Sequence, residues 1–327
     1  MSSKSRPNPN EPEPEQTQER PIRVAILGAS GFGHYHAREF KKAGAEVSAI
    51  LGSTPESARQ TADRLEQEYG ISPEPHHDLE KLLETDPDAV SVCTPNELHY
   101  DQVKRSLAAQ KFVFCEKPLF WQKDISEGET TDMLSQLGEL GAEGRLGLNA
   151  CNAILMDELD RLNAVPKDPK EFEFRVFTNG PYQGKDIAVD LLPHALSLLL
   201  WIAPQGTLEE LGYHFATHRA QFEFRWGDLR CRFDLREDPK GPKDLTIWID
   251  GRGYRRIIDV VEGQFRIFLQ EVKEDDAPLV QVHDPLEVMV ADFVQGVKTS
   301  RPTRIDFDRS TEIQLLMTRM LSSPPRS

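Results

Sequence analysis

Between residues 21 and 149 the chain repeats one pattern: a short apolar run, a turn, then a stretch with helical spacing. The apolar runs are IRVAIL at 22–27, EVSAIL at 46–51, AVSVC at 89–93, KFVFC at 111–115 and RLGLN at 145–149. The stretches between them, 36–43, 55–69, 78–84, 98–109 and 127–140, read as helices. Runs this short and this continuously apolar suit strands covered on both faces. Alternation with helices then forces a parallel sheet built from right-handed crossovers. Residues 21–148 are therefore expected to form a doubly wound α/β domain.

After residue 149 the period changes. Phe172, Phe174 and Val176 alternate with charged residues, as do Phe222, Phe224 and Trp226, then Cys231, Phe233 and Leu235, then Leu245, Ile247 and Ile249, then Phe265, Ile267 and Leu269. A period of two with one polar face predicts a large, open, mainly antiparallel sheet. Helices are expected at 187–201, 285–297 and 310–321. The second half, 149–322, is thus expected to be an α+β domain. Residues 1–20, rich in Pro, Glu and Ser, are expected to be a disordered tail, and 323–327 a short one.

The 327 residues carry 54 acidic and 39 basic side chains, a formal charge of -15. Such a surface argues against nucleic acid or anionic membrane as partner. Cys93, Cys115, Cys151 and Cys231 form no CxxC pair, which argues against disulfide staples or a zinc cluster, so no metal is expected. No apolar run reaches a membrane span, and the cytoplasm is the expected location.

The first apolar run ends in Gly28-Ala-Ser30-Gly31-Phe32-Gly33, ahead of a helical stretch. Strand, glycine-rich turn and helix together make a dinucleotide-phosphate site: Gly28 makes the turn, Gly31 and Gly33 allow close approach, and the helix amides face the phosphates. Ser30 stands where the pattern has its middle glycine. The second run ends in Leu51-Gly52-Ser53-Thr54, without the acid that would bind ribose hydroxyls and repel a 2′-phosphate. Ser53, Thr54 and Arg59 can instead receive that phosphate, so NADP is expected in preference to NAD. Ser53 or Thr54 would equally serve as a helix N-cap.

Three further segments follow in order: Thr94-Pro95-Asn96 with His99 three residues on, Glu116-Lys117-Pro118, and Asp190-Leu-Leu-Pro-His194. With Gly28 to Gly33 and His36, these make the chain resemble the Gfo/Idh/MocA oxidoreductases, from about residue 21 to the C-terminus. The resemblance implies a Rossmann domain followed by an α/β domain whose open sheet joins subunits, as a homodimer or homotetramer. It implies that Thr94, Pro95, Asn96, His99 and Glu116 lie along the cofactor. It also implies that Lys117 reaches nicotinamide and substrate, and that Asp190 and His194 line the substrate pocket with His194 as acid/base.

The chemistry is coherent in its own terms. Hydride transfer at a carbinol carbon requires a proton to move on the adjacent oxygen, and histidine titrates in the right range. A lysine polarises that oxygen. Asp190 and His194 at i and i+4 share a helix face, and Pro118 keeps Lys117 extended at its strand end. Asn149 and Asn152 follow the last strand of the first half, where relatives carry an Arg- or Tyr-bearing stretch for sugars. Tyr182 and Lys185 precede the Asp190 helix and are expected to reach substrate. His214 and His218 read as two surface histidines on one strand, and His76-His77 as loop. The expected function is NAD(P)-dependent oxidation or reduction of a small sugar, polyol or carbonyl compound. The alternatives are a non-catalytic dinucleotide-binding redox sensor and a reductase of an imine or conjugated substrate.

Overall fold

The computed structural model describes residues 20–261, 264–272 and 277–323. Of the expected tails only Arg20 and Ser323 lie inside these, and the rest is outside the described residues. The Arg20 guanidinium donates two bonds to the Asp88 carboxylate, so the described chain starts one residue before the expected boundary.

The first half contains β1 (Arg23–Leu27), α1 (Gly33–Lys42), β2 (Glu46–Leu51), α2 (Pro55–Tyr69), β3 (Glu74–His76), α3 (Leu79–Glu84), β4 (Ala89–Val92), α4 (His99–Ala108), β5 (Phe112–Glu116), α5 (Glu127–Glu139) and β6 (Leu146–Asn149). The strands lie in the order β3-β2-β1-β4-β5-β6, all pairs parallel. β4 and β6 are buried throughout, as their continuous apolar runs require. One strand of this half escapes the sequence reading. Glu74-Pro-His76 is a short edge strand beside β2, where a proline is tolerated, so His76 is strand and not loop.

A 3-10 turn (Cys151–Ala153) and a helix missed in the sequence, α6 (Ile154–Arg161), lead into β7 (Glu171–Thr178). Then come α7 (Lys185–Ile202), β8 (Leu208–Ala216), β9 (Arg219–Trp226), β10 (Leu229–Glu237), β11 (Asp244–Ile249), β12 (Arg252–Val261), β13 (Gln264–Glu271), β14 (Val280–Val282), α8 (Pro285–Thr299) and α9 (Phe307–Ser322). The second sheet runs β14-β13-β12-β11-β7-β10-β9-β8, antiparallel except for the parallel pair β7–β10. Phe172, Phe174, Phe222, Phe233, Leu235 and Ile247 form its buried face, and α7 packs against β7, β9 and β10. The other face carries arginine–carboxylate pairs, among them Arg230–Glu171 at 2.6 Å and Arg232–Glu223 at 3.0 Å. His214 lies on β8, but His218 sits in the following hairpin turn, its Nδ1 2.9 Å from the Glu237 carbonyl. The two therefore do not share a strand face.

The last two helices return to the first half. Phe293 of α8 packs its ring against Phe40 and Phe114, with centroids 6.1 and 5.0 Å apart. Thr318 of α9 meets Thr130 of α5 at 3.2 Å, both buried. This return seats α7, which α9 also contacts, beside the carboxyl end of β5. Among the described residues no helix is long and apolar enough to cross a membrane.

Candidate active site

The turn after β1 is fixed by sterics. Gly28 has φ +83°, and a Cβ there would lie 2.8 Å from the Cys93 carbonyl oxygen. A Cβ on Gly33 would lie 2.7 Å from the Gly28 oxygen, so this glycine lets α1 pack tightly on the strand. Around Gly31, by contrast, the space is open, and Ser30, Gly31 and Phe32 are exposed. No side chain caps the first turn of α1 and no acid stands in it. The His34 and Tyr35 amides already donate to the Gly31 and Phe32 carbonyls, at 3.3 and 3.0 Å, so the open turn before them is the part that fits the pyrophosphate of a dinucleotide.

At the end of β2 the missing acid has a steric counterpart. A Cβ on Gly52 would come 2.6 Å from the Ala58 nitrogen, so the present backbone has no room for a side chain there. The N-cap reading of Thr54 holds. Thr54 Oγ1 accepts from the Ser57 amide at 3.1 Å while Ser57 Oγ accepts from the Thr54 amide at 3.0 Å. Ser53 and Arg59 are exposed beside this helix start.

The turns after β4 and β5 are tied by His99. Its ring lies between the carbonyls of Pro118 and Thr94, each 2.8 Å from a ring nitrogen. Burial lowers its pKa, so the neutral ring donates to one of the two carbonyls. The sequence places His99 along the cofactor; the structure buries it, bracing both turns from within. Thr94 Oγ1 donates to Gln102 at 2.6 Å, and Pro95 and Asn96 open a 3-10 turn that leads into α4.

Glu116 ends β5. Its Oε1 accepts from Asn149 and from His36 Nε2, which is 2.8 Å away. His36 is fully buried, with its other nitrogen 3.0 Å from Ser91 Oγ. Burial alone would depress its pKa, but Cys93 and the Glu116 carboxylate outweigh this and raise it to about 10. His36 and Glu116 therefore form a charged pair beneath the next residue. That residue, Lys117, precedes Pro118 through a cis peptide. Its Nζ donates to Asp190 Oδ1 at 2.6 Å and to the Asp190 carbonyl at 3.0 Å. Burial opposes its charge, yet Asp190 and Glu116 keep the ammonium's pKa above its ordinary value.

One turn along α7, His194 takes the opposite course. Burial, then the neighbouring Lys117 charge, press its pKa to about 3. The ring is neutral, and its Nδ1 is buried with no partner among the described residues. Asn149 Oδ1 is likewise buried and unpartnered. Tyr182 is exposed in the loop before α7. Lys185 is the first residue of that helix rather than part of the loop, with Nζ 5.9 Å from the Trp121 ring centre.

Two charged groups here escape the sequence reading. Glu237, the last residue of β10, is fully buried against the Asp190 carboxyl. Its Oε2 accepts from the Tyr182 amide at 2.9 Å, and its Oε1 has no donor. Burial and Asp190 raise its pKa to about 7, while Lys117 overcomes burial to hold Asp190 below the usual carboxylate range. The two carboxyls therefore share a proton that resides on Glu237. Arg256 of β12 donates to Asn152 Oδ1 at 3.2 Å. Both residues break a pattern. Leu229, Cys231, Phe233 and Leu235 are in phase with Glu237, and Tyr254, Ile258 and Val260 with Arg256. A charge in the apolar phase of a strand is the signal that could have found them.

Residues 22–136 match the family described as "Oxidoreductase family, NAD-binding Rossmann fold". Over this first half the chain is similar to the Gfo/Idh/MocA oxidoreductases. Among relatives of this family, inositol 2-dehydrogenase of Rhizobium meliloti is 30% identical over 129 residues, 39% of this chain and 36% of that one. D-glucoside 3-dehydrogenase of Escherichia coli is 35% identical over 206 residues, 59% of this chain and 57% of that one. The chain spans about a third of the length of the first curated relatives it matches. A 3-ketoreductase of Actinomadura kijaniata, solved with NADP, shares the fold: TM-score 0.70 at 17% identity, covering 92% of this chain and 96% of that one. The parallel first sheet and the mainly antiparallel second sheet thus take the arrangement expected from the resemblance.

Proposed function

We propose that the protein is an NAD(P)-dependent dehydrogenase or reductase of a small sugar, polyol or carbonyl compound. The observation that carries this reading is the pairing of Lys117 with Asp190 beside a neutral His194 at the carboxyl end of β5, where open α/β sheets hold their ligands. The open glycine turn and the uncapped start of α1 would hold the pyrophosphate. The nicotinamide, when bound, supplies or accepts the hydride. Lys117, two of its donors fixed on Asp190, aims the rest of its charge at the substrate oxygen and stabilises alkoxide character there. His194, already neutral, accepts the hydroxyl proton in the oxidative direction. The names of the relatives, inositol and glucoside dehydrogenases, support a polyhydroxylated substrate. The test is a polyol and sugar panel with each cofactor, followed by reduced-nicotinamide absorbance. Cofactor binding without turnover across the panel would favour a sensor.

For the cofactor we infer a preference for NADP. Gly52 leaves no room for an acid, and Ser53 and Arg59 stand exposed at the start of α2. In a fluorescence titration NADPH is expected to bind about ten-fold tighter than NADH, with Arg59→Ala removing most of that margin, the size of one charge-assisted hydrogen bond. Equal affinities would reject the reading. The open face of the second sheet, with its arginine–carboxylate pairs, is the surface we propose for a homodimer or homotetramer. Size-exclusion chromatography with light scattering is expected to show a mass of two or four chains.

A further inference from the structure

Arg256 has no structural partner equal to its charge. Its one side-chain hydrogen bond among the described residues is the 3.2 Å donation to Asn152 Oδ1, a neutral acceptor. No carboxylate comes within ion-pair distance of it among the described residues. The two carboxylates whose charge it feels are engaged elsewhere. Asp244 pairs with Arg255 at 3.0 Å, and Asp284 caps α8 through the Leu286 amide at 2.9 Å. Yet the group is withdrawn from water, enough for burial to lower the pKa of an arginine. It is close enough to His194 to disfavour the imidazolium there, and it is bonded to Asn152, three residues past Asn149 at the end of β6. This places the guanidinium near His194 and the end of β6, where the proposed substrate would lie.

The charges around it can be paired off. Lys117 is balanced by Asp190, and His36 by Glu116. Glu237 is protonated below about pH 7, and His194 is neutral. Among the described residues of the site one cation is then left over, in a chain whose formal charge is -15. Arginine cannot shed its proton, and an unpaired buried charge is costly. Its planar fork with free donors matches a carboxylate. A single excess charge suits a monoanion better than a phosphate dianion.

We propose that Arg256 is a specificity-determining residue that receives a carboxylate of the substrate, so that the protein acts on a hydroxylated acid, such as a sugar acid, in preference to the neutral sugar. This rests on the oxidoreductase reading above and narrows its substrate. The test is calorimetric titration of three matched pairs: D-glucuronate and D-glucose, D-galacturonate and D-galactose, D-gluconate and D-glucitol. Each is run with and without saturating NADPH. In the unaltered protein at least one acid is expected to bind at least ten-fold more tightly than its neutral partner. Arg256→Gln is expected to bring that ratio close to one, and Arg256→Lys to retain part of it, with thermal unfolding checking that each variant is folded. Ratios near one in the unaltered protein, a preference that survives Arg256→Gln, or no binding of any acid each overturn the proposal. Failure of both NADPH and NADH to bind would overturn the oxidoreductase reading instead, while an Arg256-dependent preference for acids would still carry this one.

Discussion

Lys117→Met is expected to lower kcat by about 10³-fold on whichever panel compound is turned over, with NADPH affinity within about three-fold of the unaltered protein. Methionine keeps the length of the side chain and removes its charge. The substrate oxygen then loses its polarising donor at the moment negative charge develops on it. The ammonium also holds Asp190 ionised, and without it Asp190 and Glu237 face each other with no compensating cation. One of them will take up a proton, so the damage is partly relieved at low pH. Lys117 bonds Asp190 and neither the Gly28 turn nor the start of α1, the elements proposed to hold the phosphates. Steady-state kinetics and a parallel NADPH titration separate the two effects. Turnover preserved within ten-fold would remove Lys117 from the chemistry.

Glu237→Gln is expected to change how stability depends on pH. A carboxyl ordinarily titrates near 4.3 when unfolded, and in the folded protein this one is raised to about 7. A group whose folded pKa lies above its unfolded one stabilises fully below the unfolded value and loses that contribution as pH climbs through the folded one. The relevant window runs from about pH 4 to pH 7. Across it the unaltered protein should lose up to about 3 kcal/mol relative to the glutamine variant, at 1.36 kcal/mol for each unit of pKa difference. Glutamine keeps an oxygen for the Tyr182 amide and offers Asp190 a permanent donor. Urea unfolding of both proteins at pH 5 and pH 8 measures the difference. Parallel profiles would show that Glu237 carries no raised pKa, and the shared proton between the two carboxyls would go with it.

Much of the fold is legible in the chain because the two halves differ in period. IRVAIL and AVSVC are apolar throughout, which only a strand covered on both faces tolerates. Phe172 to Val176 and Cys231 to Leu235 alternate, which suits a sheet with one covered face. The elements that escape are Glu74–His76, with a proline in its middle, α6, eight residues following a 3-10 turn, the three-residue β14, and β12, whose ten residues mix arginines and an aspartate with apolar side chains. His218 is misplaced by sequence reasoning because the turn between β8 and β9 carries no glycine or proline to announce it.

Local pattern determines which residues are strand or helix and which face is apolar, and with the glycine turn and the ordered segments around Lys117 and His194 it carries the resemblance to the Gfo/Idh/MocA oxidoreductases. Only the tertiary structure decides which faces meet. Glu237 and Arg256 stand in the apolar phase of β10 and β12, but that they end near Asp190 and His194 follows from strand order and from the return of α8 and α9 to the first half. The titration of the site is decided at the same level. His36 is charged and His194 neutral although both are buried histidines, because Cys93 and Glu116 outweigh burial for one, while Lys117 adds to burial for the other. A pKa sums burial and charge over neighbours distant in sequence, and no local window contains that sum.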